Sequence, residues 1–302
     1  MRRALIVQGM QGMGDCLHQR AVIRELQKSH DVWLETSWPA IYWDMPEVRL
    51  LPSGTTLRTQ RKNIERERGQ FTSERPPRDA ARIMVHTPPR EILRVGSVLG
   101  AMSSLVGVPV GDFRLPVRDE WLAKADAVLE RLNPQKPVMF FRPLTVRTEW
   151  TGGQTRNPDP KAYRELYESV RDQFYVVSIA DLMPGKEWLV GSELSADVAF
   201  HAGELDVETL FGLAKRSALM FGAPGFITVM GQAVGTPTVT VFGGYEDARS
   251  FSPGARFSPW LPIEPIRPCP CWSHTHECRK EIDVPAAKVK LLAFMEEVAA
   301  CA

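Results

Sequence analysis

Residues 3–26 read RALIVQGMQGMGDCLHQRAVIREL, in which a short apolar run is followed by a glycine-rich loop and an amphipathic segment. RALIVQ is typical of a buried strand, and the apolar residues from Leu17 to Leu26 recur at helical spacing. Glycines between a strand and a helix let a ligand approach the backbone, and a helix start favours an anion. The stretch therefore predicts one strand–loop–helix unit of a parallel α/β sheet, with Asp15 at the start of the helix.

The same alternation of strands and helices continues through the chain. Strands are predicted in DVWLET, ARIMVHT, PVMFFRP, FYVVSIA, ALMFGA and PTVTVFGG, and helical patterns separate most of them. Strands that alternate with helices form parallel sheets with helical crossovers. Because the pattern restarts after NPQKP, we expect two facing Rossmann-like domains, residues 1–133 and 134–302, the second ending in a closing C-terminal helix. Loops at the carboxyl ends of both sheets would then line one cleft.

The composition excludes several classes of protein. Hydrophobic residues make up 44% of the chain and charged residues 24%, and the formal net charge is +1. These values are ordinary for a globular chain, no run approaches a membrane span, and the apolar part of MRRALIV is too short for a signal peptide. Three of the five cysteines lie close to the C-terminus, unlike a secreted disulfide framework. We therefore expect a cytoplasmic protein without a membrane span.

The glycine order of the first loop separates two kinds of nucleotide site. A dinucleotide fingerprint has the order G-x-G-x-x-G with an acid about 20 residues further on, whereas Gly9, Gly12 and Gly14 give G-x-x-G-x-G. Glu35 stands where a ribose-binding acid would be, so a nicotinamide oxidoreductase remains an alternative. Asp15 has two interpretations: it caps the helix, or it meets a substrate hydroxyl in the space that the glycines leave.

Three segments, in order along the chain, carry a family resemblance. They are the opening strand and loop with G-D-x-L in residues 3–26, LDVETLFGLAKRSALMFGAPGFITVMGQAVGTPTVTVFGGYEDARSF in residues 205–251, and CPCWSHTHECRKEI in residues 269–282. Together they resemble the ADP-heptose:lipopolysaccharide heptosyltransferases, glycosyltransferase family nine. The resemblance implies a GT-B fold, inverting transfer from a nucleotide-diphosphate sugar, no catalytic metal, no required cofactor, and Asp15 as the general base.

The resemblance also assigns residues to the donor. Basic and hydroxyl side chains in and after PVMFFRPLTVRTEWTGGQTR would bind the phosphates, and the small residues of GAPGFIT would open a helix toward them. The donor-binding candidates are Arg142, Thr145, Arg147, Thr148, Arg156, Gly222, Pro224, Gly225, Phe226 and Thr228. The alternative for each arginine is a surface ion pair.

The chain departs from the family where the donor is bound. Ala223-Pro224-Gly225 stands in place of D-[ST]-G, and Thr228 stands in place of a histidine. These positions help to hold the donor's sugar and phosphates in the family. The predicted donor is therefore a nucleotide-diphosphate sugar, and the identity of its sugar is not predicted.

A basic segment in the first half predicts the acceptor side. Residues 58–90 hold nine Lys and Arg against four acids, an excess of +5, and their early part is poor in apolar residues. Such a segment predicts an exposed loop, which is either a solvated surface or a site for an anionic acceptor. The acceptor-binding candidates are Gly12, Gly14, His18, Arg61, Lys62, Arg66 and Arg68.

Three function classes follow from these residues. The first is a glycosyltransferase whose acceptor is a lipopolysaccharide or another glycan, or alternatively a hydroxymethylated pyrimidine in DNA held through its phosphates. The second is a non-catalytic nucleotide-sugar-binding protein, against which the retained Asp15 argues. The third is the oxidoreductase, with the altered glycine order.

The segment CPCWSHTHEC has ligands of the kind that zinc prefers. Thiolates and imidazoles suit tetrahedral zinc, and Cys269, Cys271, His276 and Cys278 are the candidates for a structural ion. The alternative is a reduced loop packed under the last helix with Trp272 buried, because C-x-C is a less usual spacing than C-x-x-C.

Overall fold

Residues 2–149, 155–273, 275 and 279–301 are described by the computed structural model. They belong to two units, Met1–Pro116 with Asp206–Glu208, and Val117–Leu205 with Thr209–Ala302. The division precedes the helix Asp119–Leu132, whereas the boundary predicted from the sequence follows that helix. Both units are built on parallel sheets.

The first unit contains a four-stranded parallel sheet. Its elements are β1 (Arg3–Gln8), α1 (Met13–Leu26), β2 (His30–Thr36), β3 (Arg49–Pro52), α2 (Arg58–Arg66), β4 (Ala81–Met84), α3 (Pro89–Val95) and α4 (Val98–Val106). The strand order β3-β2-β1-β4 places β1 inside the sheet, where Leu5, Ile6 and Val7 are buried. The apolar run of β1 follows from this position, because inner strands of parallel sheets are apolar along their length.

The buried side of α1 carries polar residues as well as apolar ones. The guanidinium of the buried Arg20 donates to the carbonyl oxygens of Ile41, Phe113 and Arg114 and pairs with Asp44 at 2.8 Å. Burial lowers the pKa of Arg20, and Asp44 opposes this shift. Breaking such a buried pair typically costs about 3–5 kcal/mol. Arg20 therefore holds the segment with Phe113 against α1.

The second unit contains a six-stranded parallel sheet and a two-stranded antiparallel sheet. Its elements are α5 (Asp119–Leu132), β5 (Val138–Phe141), β6 (Thr145–Arg147), α6 (Pro160–Arg171), β7 (Tyr175–Ile179), β8 (Glu187–Leu189), β9 (Val198–Phe200), α7 (Val207–Arg216), β10 (Leu219–Gly222), α8 (Phe226–Val234), β11 (Thr238–Val241), β12 (Trp260–Ile263) and α9 (Val284–Cys301). The first two residues of α7 are grouped with the first unit. The larger sheet has the order β12-β11-β10-β5-β7-β9, and β6 pairs with β8.

Aromatic rings join the centre of the larger sheet to α6. Phe141 of β5 packs on Tyr167 of α6 with ring centroids 4.3 Å apart, and Tyr163 contacts Phe221 of β10 at 5.4 Å. Burying a large apolar side chain contributes about 1.5–3 kcal/mol. The cluster thus holds the ends of β5 and β10 side by side.

The strands and helices predicted from the sequence are present, and one predicted loop is wrong. Residues 58–66 form α2, whose buried side chains are the polar Gln60 and Asn63. The apolar periodicity that would indicate a helix is therefore missing. The short strands β3, β6, β8, β9 and β12 were not predicted. No helix in the part of the chain that the structure describes is both long enough and apolar enough to cross a membrane.

Candidate functional site

The first sheet changes its direction of connection at β1. β2 and β3 lie on one side of β1, and β4 lies on the other. Ligands of open parallel sheets bind beyond the carboxyl ends of the strands at such a point. The glycine-rich loop after β1 leads from this edge into α1, and Asp15 follows it.

Side chains of the first unit hold that loop from several directions. A Cβ at Gly9 would lie 2.6 Å from the carbonyl oxygen of Glu35, so β1 and β2 approach as closely as only glycine allows. The amide of Met10 donates to Gln19 Oε1 at 2.7 Å, and Trp38 Nε1 donates to the carbonyl oxygen of Gln11 at 2.8 Å. The backbone before Asp15 is therefore fixed by its surroundings.

Asp15 is the third residue of α1 and is half-buried. The N-cap of this helix is Gly12, without a side-chain cap, and the buried Gly14 is its second residue. Burial raises the pKa of the neighbouring Cys16 thiol, and the charge of Asp15 raises it further. The positive end of a helix stabilises a carboxylate in the first turn by about 0.3–1 kcal/mol. Asp15 is thus a carboxylate at a glycine-lined helix start, beside a neutral thiol.

His18 does not lie where an acceptor contact was predicted. Its ring is buried inside the first unit, edge-on to Phe113 with centroids 4.9 Å apart. Burial lowers the pKa of His18 to about 3, so the ring is neutral at physiological pH. His18 follows Asp15 by three residues, yet it belongs to the core of the unit.

Basic residues of α2, with Arg68 just after it, form an exposed surface next to the loop before Asp15. The side chains of Arg61, Lys62, Arg66 and Arg68 are exposed. On the buried side, Gln60 Nε2 donates to the carbonyl oxygen of Gln11 at 3.3 Å. This contact puts the start of α2 beside that loop.

A buried carboxylate lies just after α2. Glu67 Oε2 accepts from the amide of Ala40 at 3.3 Å and from Asn63 Nδ2 at 3.1 Å. Burial raises the pKa of Glu67 to about 7 against these hydrogen bonds, and Glu208 and Asp206 raise it further. Glu67 therefore titrates close to neutral pH.

The second sheet changes its direction of connection between β5 and β10. β7 and β9 lie on one side of β5, and β10, β11 and β12 lie on the other. The amide of Arg142, just after β5, donates to the carbonyl oxygen of Phe221 in β10 at 3.0 Å. Arg142 and the start of α8 therefore leave the sheet at neighbouring points, which is where such sheets bind ligands.

Two arginines at this edge share one buried carboxylate. Arg142 Nη2 lies 3.4 Å from Glu187 Oε1, and Arg147 Nε donates to Glu187 Oε2 at 2.8 Å. The side chain of Glu187 is 1% exposed. Burial lowers the pKa of Arg142, which Glu187 opposes. The charge of the buried Asp181 also raises the pKa of Arg142. The two guanidiniums therefore offer an anion hydrogen-bond donors with fixed geometry.

A third arginine lies at the start of α8. Arg156 binds Glu246 with both Nε, at 2.9 Å, and Nη2, at 2.7 Å, to Oε1. Burial raises the pKa of Glu246, and Arg156 opposes this shift. Arg156 Nη2 lies 3.5 Å from the point where a Cβ of Gly225 would be. The guanidinium is thus beside the N-cap of α8.

The start of α8 has the open backbone that was predicted. Gly225 is the N-cap with φ 122° and ψ −134°, a region that essentially only glycine adopts. A Cβ at Gly222 would collide with Ile227, so the end of β10 packs directly on the helix. Pro224 and Phe226 are half-buried on either side of Gly225. The free amides of such a helix start bind anions.

Of the three threonines predicted at the donor, Thr228 and Thr148 have other partners for their hydroxyl groups. Thr228 is buried, and its Oγ1 lies 2.9 Å from Thr240 Oγ1, so it faces the sheet. Thr148 Oγ1 donates to the carbonyl oxygen of Lys186 at 3.4 Å. The carbonyl oxygen of Thr145 accepts from Asn157 Nδ2 at 3.1 Å. Thr145 and Thr148 therefore stabilise the loops beside the arginines, and Thr228 joins α8 to the sheet.

The cysteine segment is described in part. Cys269 Sγ donates to the carbonyl oxygen of Gly244 at 3.1 Å. His276 and Cys278 lie outside the described residues. Among the residues that are described, no group of three or more metal-binding side chains is placed to hold an ion.

The sequence analysis did not predict Glu187 and Glu246, the two buried carboxylates that bind these arginines. Glu187 is buried and Trp188 is exposed on β8, but a strand of three residues is too short to show an alternation of buried and exposed residues in the sequence. Glu246 gives a clearer signal, because it follows the apolar strand PTVTV and a glycine pair. An acid just beyond the carboxyl end of a strand indicates a site residue.

Comparisons with known proteins identify the fold. No protein-family model matches the chain, and no curated protein matches it significantly. TibC, an iron-containing dodecameric glycosyltransferase from enterotoxigenic E. coli, has a TM-score of 0.64 at 12% identity, over 99% of this chain and 77% of TibC. E. coli ADP-heptose lipopolysaccharide heptosyltransferase II has a TM-score of 0.56 at 12% identity, over 97% of this chain and 99% of that one. A glycosyl transferase of family 9 from Veillonella parvula has a TM-score of 0.54 at 11% identity, over 86% of each chain.

This chain has the GT-B fold. Each of its two units presents candidate residues at the carboxyl edge of a parallel sheet. In the first unit they are Asp15 and the surface of α2, and in the second they are three arginines and the start of α8. Both units thus have cations among their candidate residues, and the first also has the Asp15 carboxylate at a helix start.

Proposed function

We propose that this chain is an inverting glycosyltransferase that moves a sugar from a nucleotide-diphosphate sugar to an acceptor hydroxyl. The observation that carries the proposal is the set of three arginines on two buried carboxylates, beside the start of α8. Support comes from the fold shared with glycosyltransferases, among them TibC in a complex with ADP-D-β-D-heptose, with a TM-score of 0.61 at 14% identity.

The second unit would bind the diphosphate of the donor. Arg142, Arg147 and Arg156 would offer guanidinium N–H groups to the phosphate oxygens. The amides at Gly225 and Phe226 add the partial positive charge of a helix start. When the bond between the sugar and the diphosphate breaks, negative charge develops on the leaving group. These groups would stabilise that negative charge without a catalytic metal.

The first unit would activate the acceptor. A sugar hydroxyl becomes a good nucleophile when a base removes its proton during bond formation. Asp15 would take that proton as the hydroxyl oxygen attacks the anomeric carbon and the diphosphate leaves from the opposite side. One carboxylate is enough for this single displacement, because no covalent intermediate forms. The product has the inverted anomeric configuration.

The exposed cations of α2 favour an anionic acceptor. Arg61 and Lys62 lie on the same helix as Gln60, which contacts the loop before Asp15. A glycan with phosphate groups, such as a lipopolysaccharide core, matches this surface and is our main proposal. Hydroxymethylated DNA is the alternative, because a basic surface also binds phosphates of a duplex. A non-catalytic sugar-nucleotide-binding protein would bind the donor without turnover.

Two further properties belong to the proposal. A reducing cytoplasm suits cysteines that form no disulfide, such as Cys16, Cys269 and Cys271. The cysteine segment would hold a structural metal, either zinc or iron, in a form in which Cys269 has lost the proton that it donates to Gly244, and TibC is described as iron-containing. Elemental analysis of the purified protein, with a Cys269→Ser variant as control, tests the metal.

The donor is tested by thermal unfolding with ADP-, UDP-, GDP- and CDP-sugars, and with NAD as a control. A ligand at 100 times its Kd stabilises the folded state by about 2.7 kcal/mol, so one nucleotide series should raise the Tm. Product analysis with that donor then distinguishes an enzyme from a binding protein. A rise in Tm with NAD alone would support the oxidoreductase instead.

A further inference from the structure

The loops that carry Arg156 and Glu246 touch each other through their backbones. A Cβ at Gly243 would collide with the carbonyl oxygen of Asn157 and would lie 2.7 Å from that of Arg156. Gly243 and Glu246 follow β11, whereas Arg156 precedes α6. The ion pair between Arg156 and Glu246 therefore spans two loops that meet at a glycine.

Described residues of the C-terminal segment contact both of these loops. Cys269 Sγ donates to the carbonyl oxygen of Gly244 at 3.1 Å, and the amide of Trp272 donates to that of Tyr245 at 3.0 Å. On the other loop, Lys280 Nζ donates to the carbonyl oxygen of Asn157 at 2.6 Å. Cys269 and Trp272 thus hydrogen-bond to one loop and Lys280 to the other, and we call the described residues 269–273 and Lys280 the strap.

One residue of the strap, Trp272, has an unfavourable backbone conformation. Trp272 has φ 51°, which bulky residues rarely adopt. Its ring packs on Tyr245 with centroids 5.3 Å apart. A conformation of this kind persists only where the surroundings hold it, so the contact with the loop after β11 is strong enough to maintain it.

Lys280 is the cation of the strap that faces the other loop. Its ammonium group is half-buried, and burial lowers its pKa against the effect of Asp159. Asp159 also caps α6 through a hydrogen bond from the amide of Ala162 at 2.8 Å. Lys280 thus joins the strap to the turn that presents Arg156 and starts α6.

The geometry points to Lys280 as a positioning residue for the phosphate-binding arginine. It holds the carbonyl oxygen of Asn157, the residue that follows Arg156, and so fixes the guanidinium beside Gly225. This inference rests on the proposed donor site. Lys280 acts through the backbone of a neighbour, and Lys280→Arg should retain most of its effect because a guanidinium can donate to the same carbonyl oxygen.

The first test measures nucleoside diphosphate binding by calorimetry. The nucleotide is the one that stabilises the wild-type protein. We expect Lys280→Gln to raise the Kd about tenfold or more and Lys280→Arg to restore most of the affinity. Lys288→Gln is the matched control, because Lys288 lies on α9 in the same unit and pairs with Glu165 at 3.7 Å. Equal affinity of Lys280→Gln and wild type would overturn the inference.

The second test needs no nucleotide and separates this inference from the proposed function. Hydrogen exchange of the free protein should become faster at residues 155–157 and 243–247 in Lys280→Gln, and equally in Gly243→Ala, which separates the same loops. Exchange in Lys288→Gln should match the wild type. Unchanged exchange in Lys280→Gln would overturn the positioning role even where the wild type binds its nucleotide. A wild type that binds no nucleotide, with the exchange result as expected, would refute only the donor site.

Discussion

Asp15 is the residue on which the proposed reaction depends most. We expect Asp15→Asn to bind the donor like the wild type and to lose about two orders of magnitude or more in kcat, because the amide cannot take the proton. Steady-state kinetics and nucleotide titration measure the two quantities. Asp31→Asn, an exposed change in β2, is the control. Wild-type turnover in Asp15→Asn would remove the base assignment.

Glu67 makes the stability of the protein depend on pH. Its pKa is about 7 in the folded protein against an ordinary value of 4.5. The folded state therefore keeps a proton that the unfolded state has lost, and the free energy of unfolding falls as the pH rises from 4.5 to 7. The loss is complete above pH 7 and amounts to at most about 3 kcal/mol.

Glu67→Gln removes this titration and keeps an oxygen that accepts from Ala40. We expect the variant to gain stability over the wild type at pH 8 and to gain none at pH 4.5. Urea unfolding at the two pH values measures the difference. Glu65→Gln, two residues earlier and exposed, should show no such change. A gain of equal size at both pH values would mean that Glu67 does not titrate as described.

Backbone conformation was predicted from the sequence where only one residue type suits it. The conformation expected at Gly225 agrees with its φ of 122°, and its contact with the donor stays a prediction. Thr228 and His18 were misplaced, because both helices bury sides that their sequences do not mark as apolar. Thr228, whose hydroxyl binds Thr240, and His18, whose neutral ring packs on Phe113, are polar residues of the core.

Helix α8 has one glycine at each end, and only one of them faces the proposed phosphates. We expect Gly225→Ala to weaken nucleoside diphosphate binding by about tenfold or more, because its φ of 122° costs an alanine about 1–3 kcal/mol and the helix start must move. Gly235→Ala is the matched control, since Gly235 caps the other end with φ 79°. It should lose stability and keep its affinity. Equal affinity in both variants would place the phosphates elsewhere.

Helix α2 shows why some elements escape prediction. Its inward side chains bind backbone carbonyl groups: Gln60 binds Gln11, and Asn63 Nδ2 donates to that of Ser37 at 2.7 Å. The helix is thus stabilised by polar contacts to distant parts of the chain. A sequence pattern of apolar residues cannot report such contacts.

In the proposed function, the basic surface of α2 would bind the acceptor, and salt dependence distinguishes the two acceptor classes. Replacing Arg61, Lys62, Arg66 and Arg68 by Ala should weaken acceptor binding and leave donor binding unchanged. For duplex DNA the wild-type log–log salt slope should be about −0.9 per phosphate contacted, and the variant should flatten it. For a phosphorylated glycan the slope should be shallow. Binding of both acceptors across a salt series measures this.

The control for this surface lies in the other unit. Replacing the exposed Arg118, Lys124, Arg131 and Lys136 by Ala removes the same charge and should leave acceptor binding unchanged. Equal losses in both variants would indicate a general effect of charge. Absence of DNA binding at low salt would leave the glycan as the acceptor.

At the scale of the whole molecule, the alternation of strands and helices was enough to predict two parallel sheets. The inner strands β1, β5, β10 and β11 were found because β5 and β10 are apolar and the other two carry buried apolar or β-branched residues. The outer strands β3, β9 and β12 were missed, since they are short and partly exposed. The order of the strands depends on long-range packing, which local patterns do not contain.

The contacts of Arg20 set a condition on the synthesis of the chain. Its acceptors include the carbonyl oxygens of Phe113 and Arg114, more than ninety positions later in the sequence. A nascent chain that ends before these residues would bury the Arg20 guanidinium without all of its acceptors, which would lower the stability of the fold by an amount on the order of the 3–5 kcal/mol of a broken buried pair. The first unit therefore cannot reach its native packing on the ribosome until the segment after α4 has left the exit tunnel, although β1 and α1 emerge first.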